Sequence, residues 1–408
     1  MTGVESKIRK RLATRGKIPF AEFMGLALFD PEGGYYTDEA LFGPAGDYFT
    51  SPATHPAFGA LVAVQLQRMW EVLGHPARFT VVEMGAGNGL LAGDVVEYAA
   101  GRSSDFSGCL NYVAVDRFRP ADESKAPDGT HRIIADGVPL SQVTGCFLSN
   151  ELVDSFPVHR FQIHRGTVNE IYVALTEDGE FTEVTAEPST PLLAGRIEEL
   201  ALSLPDGFRG EVNLGIPPWL SQVSNALKRG FVVTIDYGYE AAELYSQARA
   251  GGTLQTYYRH TQGGSPYQRV GRQDITAHVD FSALGSTGNS LGLQLLGLRT
   301  QARFLRDLGF EAMHQKVRGL GLSDRERNAN TMAMLELVKP EGLGGFKVHV
   351  QERGSGVTGL DQLTPAEPAP GQLDVPLLGP RHMPLMEGRY PHLEWDPGDL
   401  WPFGREEP

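Results

Sequence analysis

Apolar positions along the chain follow two different periods. Phe58, Leu61, Val62, Leu66, Met69, Trp70 and Leu73 fall three and four apart, and Gly74 followed by Pro76 closes the run, so the pattern predicts a helix over about 58–73. From Phe79 the period changes to short apolar runs bounded by turn residues. Runs at about 79–84, 112–116, 131–135 and 146–150, with at least one helix between them, predict a parallel sheet covered by helices. FVVTID (231–236) reads as a fifth buried strand; helices near 300–308 and 324–338 and the strand FKVHVQ (346–351) complete the sheet. The class expected is α/β, Rossmann-like, with ligands collecting at the carboxyl ends of the strands.

The alternation is interrupted twice. From Phe161 to Glu187, short strands with Gly166 and Asp178-Gly179 as turn signals predict an antiparallel hairpin insertion after the fourth strand. Residues 240–290, rich in Gly, Tyr and Gln, predict a second insertion after the fifth strand, placed over the site. The division expected is an N-terminal helical or lid segment (1–75), a main domain (76–352) with insertions near 161–225 and 240–290, and a Pro-rich C-terminal tail (353–408). Trp395, Trp401 and Phe403 favour partial docking of that tail.

Composition narrows the choices. With 408 residues and 41% hydrophobic content the chain can bury a sizeable core. A net charge of -14 argues against nucleic acid as a partner. The one basic cluster, Lys7, Arg9, Lys10, Arg11, Arg15 and Lys17, reads as the solvated face of an amphipathic first helix, with an RNA or membrane contact as the alternative. Cys109 and Cys146 lack both disulfide-framework and metal-ligand spacing, so no metal is expected. No apolar run reaches spanning length and the N-terminus has no signal-peptide core, which predicts no membrane association and a cytoplasmic location.

The densest chemistry lies in FTVVEMGAGNGLLAG (79–93), a buried strand running into a GxGxG turn. A dinucleotide fingerprint places glycines first, third and sixth, whereas here they are Gly85, Gly87 and Gly89, with Leu90 sixth. Such a loop has no pyrophosphate to cradle and suits a cofactor with an amino-acid tail and a ribose, S-adenosyl-L-methionine (SAM). Glu83 precedes the loop, and Asp116, closing the second strand, is positioned to accept the ribose hydroxyls. Thr50, with Tyr35, Tyr36 and Phe49, reads either as a lid over SAM or as ordinary core.

The fourth strand ends in Ser149-Asn150-Glu151-Leu152-Val153-Asp154-Ser155-Phe156-Pro157, where a SAM methyl group should point. Two carboxylates three residues apart, Glu151 and Asp154, suit a cationic nitrogen acceptor such as a guanidinium, and Asn150 offers an amide oxygen to its N–H. The competing reading makes both acids caps of a following helix. Asp236, Tyr237, His159, His278 and Asp280 carry similar double readings, catalytic or structural.

The segments GDYFTSP, VVEMGAGNGLLAGDV, SNELVDSFPVHRF, TIDYG and DITAHVDFSAL, in this order, resemble the MidA-like methyltransferases, the family of the mitochondrial complex I assembly-factor arginine methyltransferase. The likeness runs from about Phe20 to Gln351. It implies a class I SAM-dependent methyltransferase fold, with Gly85, Gly87 and Gly89 holding SAM, Asp116 its ribose, and Asn150, Glu151 and Asp154 at the acceptor. Methyl transfer to an arginine of a protein partner, such as a respiratory subunit, is the activity implied. A small-molecule N- or O-methyltransferase and a non-catalytic SAM-binding assembly factor are the alternatives. Partners expected are therefore a protein or small-molecule acceptor, with a second copy of the chain as a candidate homodimer partner.

Overall fold

The computed structural model describes residues 3–37, 50–119, 129–258, 261–365 and 373–382. Its centre is a seven-stranded sheet: β1 (Phe79–Met84), β2 (Leu110–Asp116), β3 (Thr130–Ile134), β4 (Val143–Asn150), β5 (Leu227–Asp236), β6 (Gln294–Thr300) and β7 (Lys347–Arg353). The order across the sheet is β3-β2-β1-β4-β5-β7-β6, and β7 runs antiparallel to both of its neighbours while the pairs from β3 to β5 are parallel. This is the Rossmann-like class I arrangement expected. The order reverses between β1 and β4, which opens a crevice at the carboxyl ends of these strands.

Every residue of β1 is buried because helices cover both faces. The two-residue period sorts its neighbours into layers. Tyr112, Val81, Cys146 and Phe231 stand in one cross-strand row and enter the larger apolar layer, while Val113, Val82, Phe147 and Val232 form the next row and enter the opposite one. The larger layer is closed by α1 (Ala57–Val72), α2 (Leu90–Arg102) and α4 (Asp324–Leu337); the other packs against Phe281–Ser290 and α3 (Ile216–Ala226).

The first insertion is an antiparallel sheet of His159–His164, Thr167–Leu175, Phe181–Ala186 and Arg209–Val212, joined at its edge by the N-terminal strand Lys17–Pro19. The second holds a small antiparallel sheet of Gln255–Tyr258, Thr261–Gly263 and Asp274–Thr276. The basic first helix, Gly3–Arg15, spends its charge within the molecule: Lys7 pairs with Asp30, Arg9 with Glu5, and Arg11 and Arg15 with Glu22. Among the described residues, no helix is long and apolar enough to cross a membrane.

Several elements carry no clear signal in the sequence, among them the helices Pro191–Glu199 and Phe310–Val317, the strand β6 and helix α3. The strand β6, QLLGLRT, carries a register irregularity between Leu295 and Gly297 that breaks its alternation. Helix α3 begins Ile-Pro-Pro, a segment that reads as a loop although proline fits a first helical turn.

Candidate active site

The glycine loop leaves β1 in a conformation that glycine alone adopts without cost. Gly85, Gly87 and Gly89 have φ of 74°, 51° and 79°. A Cβ on Gly85 would stand 2.8 Å from Leu152 Cδ1, and one on Gly89 2.8 Å from Arg132 Nη2. Arg132, on β3, also donates from Nη1 to the Gly87 carbonyl at 2.8 Å, and so holds the loop from below. Nothing in the local pattern of residues marks this arginine, since its partner is a backbone atom.

Asp116 closes β2, where its Oδ2 accepts the Gly87 N–H at 2.8 Å and its Oδ1 the Phe118 N–H at 3.1 Å. Each carboxylate oxygen retains a lone pair for a ligand hydroxyl. Glu83 is 4% exposed and accepts from Tyr112 Oη at 3.0 Å. Burial raises its pKa to about 8, against the hydrogen bond from Tyr112, which lowers it.

Glu83, Gly85, Gly87 and Asp116 line a cleft of about 410 Å³, together with Thr50, Tyr36, Asp136, Asn150, Glu151, Leu152, Trp219 and Gln222, while Gly89 caps the start of the helix that follows. That volume falls within the ~300–1,000 Å³ typical of small-ligand sites. The positive-φ loop, the carboxylate at the end of β2 and the apolar walls fit an adenosine bearing an amino-acid tail.

At the end of β4 the structure brings Asn150 and Glu151 to the cleft wall and sets Asp154 behind them. Asn150 Nδ2 donates to Glu151 Oε1 at 3.0 Å, and the buried Asn150 Oδ1 has no partner. Glu151 has φ of +51°, a left-handed conformation costing a non-glycine residue about 1–2 kcal/mol. Its N–H is bound to the Ile235 carbonyl at 2.8 Å, which holds it in this state. Burial, reinforced by the charge of Asp154, raises the Glu151 pKa to about 8.

No long helix follows for these acids to cap. Val153–Ser155 is a single 3-10 turn, pinned from β5: Asp236 Oδ2 accepts the Val153 and Asp154 N–H groups at 2.9 and 3.3 Å. Tyr237 Oη donates to Asp154 Oδ2 at 2.6 Å, while the buried Asp154 Oδ1 has no partner. Burial raises Asp154 to about 6, and burial with the charges of Asp154 and Glu151 raises Asp236 well above the ordinary range.

The remaining candidates divide. Tyr36 lines the cleft and donates to Asp274 Oδ1 at 3.0 Å, whereas Tyr35 is core; Phe49 lies outside the described residues. Asp280 accepts the Ala283 N–H as a helix cap and pairs with Arg196 at 2.7 Å. His278 packs against Tyr237, its ring centroid 5.3 Å away, and burial lowers it to about 4. His159 binds Glu170 at 2.7 Å in the first insertion.

Comparison with known proteins accords with this geometry. Residues 61–299 match the model of an S-adenosyl-L-methionine-dependent methyltransferase family. The mitochondrial protein arginine methyltransferase NDUFAF7 homolog of Drosophila melanogaster is 26% identical over 356 residues, 78% of each chain. The Homo sapiens protein arginine methyltransferase NDUFAF7 is 25% identical, covering 74% of this chain and 72% of its own. The crystal structure of a Burkholderia thailandensis protein bound to S-adenosyl-homocysteine aligns with a TM-score of 0.77 and 28% identity, covering 90% of this chain and 95% of that one. One expectation is corrected: the curated relatives are named as mitochondrial proteins, so the cytoplasmic location is withdrawn.

Proposed function

The chain belongs to the S-adenosyl-L-methionine-dependent methyltransferase family and uses that cofactor, and from this premise we propose that it methylates an arginine side chain of a protein partner. The observation that carries this reading is the carboxylate of Glu151, held on the cleft wall in a left-handed conformation, with the Asp154 carboxyl buried behind it and Asn150 beside it. An acceptor bearing positive charge is drawn to such a corner; a neutral hydroxyl has no need of it. The relatives named as protein arginine methyltransferases support the same choice.

SAM supplies an electrophilic methyl group on a sulfonium and leaves as S-adenosyl-homocysteine. Gly85, Gly87 and Asp116 hold its ribose and tail, while Glu83 and Thr50 complete the wall. Glu151 pairs with the guanidinium, fixes its plane and raises electron density on one nitrogen. With SAM bound, that nitrogen would be presented to the methyl group, and the proton it gives up on methylation must leave the site. Glu151 takes it and passes it to solvent. Asn150 orients a second N–H through its free amide oxygen. Asp154 acts from behind as a positioning residue, tied through Tyr237 and Asp236 to β5. In the same reading the main domain is catalytic, and Tyr36 and Thr50 from the N-terminal segment and Trp219 and Gln222 from the first insertion add to the cleft wall.

The test is incubation of the protein and methyl-labelled SAM with extract from cells lacking this enzyme. Label should enter protein and be released by hydrolysis as methylarginine. Label confined to metabolites, or recovered on another residue, overturns the arginine assignment.

A further inference from the structure

The segment Leu373–His382 is built into the body. Leu373 is 3% exposed in the larger apolar layer. Lys316 Nζ donates to the Leu373 carbonyl at 3.0 Å and to Asp374 Oδ1 at 3.1 Å, and Tyr98 Oη donates to the Asp374 carbonyl at 3.1 Å. The Leu378 N–H reaches Asn330 Oδ1 at 2.9 Å. At the end of the segment, His382 Nε2 lies 2.9 Å from Asp94 Oδ2, with both side chains at or below 5% exposure. Asp94 is one turn into α2, the helix that leaves the glycine loop. A buried ionisable pair is costly unless its geometry is fixed, so this contact ties the segment firmly to the cofactor loop's own helix.

These anchors deliver Arg381 to the wall of the SAM cleft. The cleft is rich in acid: Glu83, Asp116, Asp136 and Glu151 line it. Among the described residues, its cations are Arg117 and Arg381. Arg117 is committed, paired with Asp136 and lying 4.7 Å over the Phe29 ring. Arg381 is held more loosely: its ion pairs with Glu97 and Asp94 are 3.6 and 3.7 Å long, beyond hydrogen-bond length, and its side chain is 40% exposed.

SAM carries a carboxylate at the end opposite its adenosine. A tail laid along the glycine loop from a ribose at Asp116 would lead toward α2, beside which Arg381 stands. Beside the carboxylate of Asp116 and the carboxyls of Glu83 and Glu151, that carboxylate gains from a cation, and a guanidinium can hold it through two parallel hydrogen bonds. We propose that Leu373–His382 is an integral wall of the cofactor site and that Arg381 binds the α-carboxylate of the methionine moiety. The inference rests on the family's cofactor and is independent of the acceptor.

Calorimetry on the full chain tests it with two ligands that differ in the tail: S-adenosyl-homocysteine, which has the carboxylate, and 5′-methylthioadenosine, which lacks it. Arg381→Ala should weaken S-adenosyl-homocysteine about 10–100-fold, the range of a hydrogen bond to a charged group, and leave methylthioadenosine unchanged. Arg381→Lys should recover part of the loss. Equal weakening of both ligands, or none for S-adenosyl-homocysteine, overturns the proposal. Failure of the unaltered protein to bind S-adenosyl-homocysteine would instead overturn the cofactor assignment, and this inference with it.

Discussion

SAM and S-adenosyl-homocysteine differ by one methyl group and one positive charge, and that charge should be felt by Glu151. In the free protein Glu151 has a pKa of about 8, so at pH 7 roughly nine-tenths of molecules hold a proton there. A sulfonium about 5–8 Å away, at an effective dielectric near 20, interacts with the carboxylate by about 2–3 kcal/mol, which lowers the pKa by ~1.5–2.4 units. The protonated fraction then falls to roughly 0.04–0.25, and SAM binding expels about 0.7–0.9 of a proton that S-adenosyl-homocysteine binding does not. Calorimetry at pH 7 in phosphate and in Tris reads this number directly, because the released proton is taken up with a different heat by each buffer. Glu151→Gln should reduce the SAM value to that of S-adenosyl-homocysteine. Glu83, also raised to about 8, is the competing source, and Glu83→Gln should leave most of the difference in place. Equal proton counts for the two ligands in the unaltered protein, or a difference that survives Glu151→Gln, would refute the placement of the sulfonium beside Glu151.

Gly85→Ala adds a Cβ 2.8 Å from Leu152 Cδ1 at a φ of 74°; it should weaken S-adenosyl-homocysteine at least tenfold in titration while lowering the melting temperature only modestly, since the strain of about 1–2 kcal/mol is local. Gly145→Val meets the Thr80 carbonyl oxygen at 2.1 Å in the centre of the sheet and should cost more than ~4 kcal/mol; a soluble variant with unchanged denaturant midpoint would contradict the register. For pH, Glu83 is an acid whose folded pKa exceeds its unfolded one, so the native state holds a proton that the unfolded chain has lost. Its contribution is therefore complete below about pH 4.5 and declines as pH rises to about 8. Glu83→Gln should flatten the fall of melting temperature across that window, and an unchanged slope would place the dependence elsewhere. Tyr237→Phe removes the proton donated to Asp154; the activity loss should be in kcat and its pH profile, with S-adenosyl-homocysteine affinity unchanged.

The sheet was legible because its strands are buried on both faces, so β1, β2, β4 and β5 appear as dense apolar runs, and the three glycines mark a turn that no other residue makes cheaply. The Asn150–Asp154 corner was legible as chemistry but not as geometry. Nothing local in the sequence says that Asp154 turns inward to Tyr237 while Glu151 stays on the cleft, because that division is imposed by Asp236, some eighty residues away on β5. Arg132 and Arg381 were missed for the same reason. Each acts through distant partners, a loop carbonyl for one and Asp94 and Glu97 for the other, and isolated arginines carry no spacing signal.

A crystal structure with S-adenosyl-homocysteine bound tests the central claim most directly. Ribose hydroxyls should lie on Asp116, the amino-acid tail should cross Gly85–Gly89, and the sulfur should face Glu151 from within about 8 Å, close enough for the sulfonium charge to move its proton. A ligand whose sulfur points away from Glu151, or one seated outside this cleft, would contradict it.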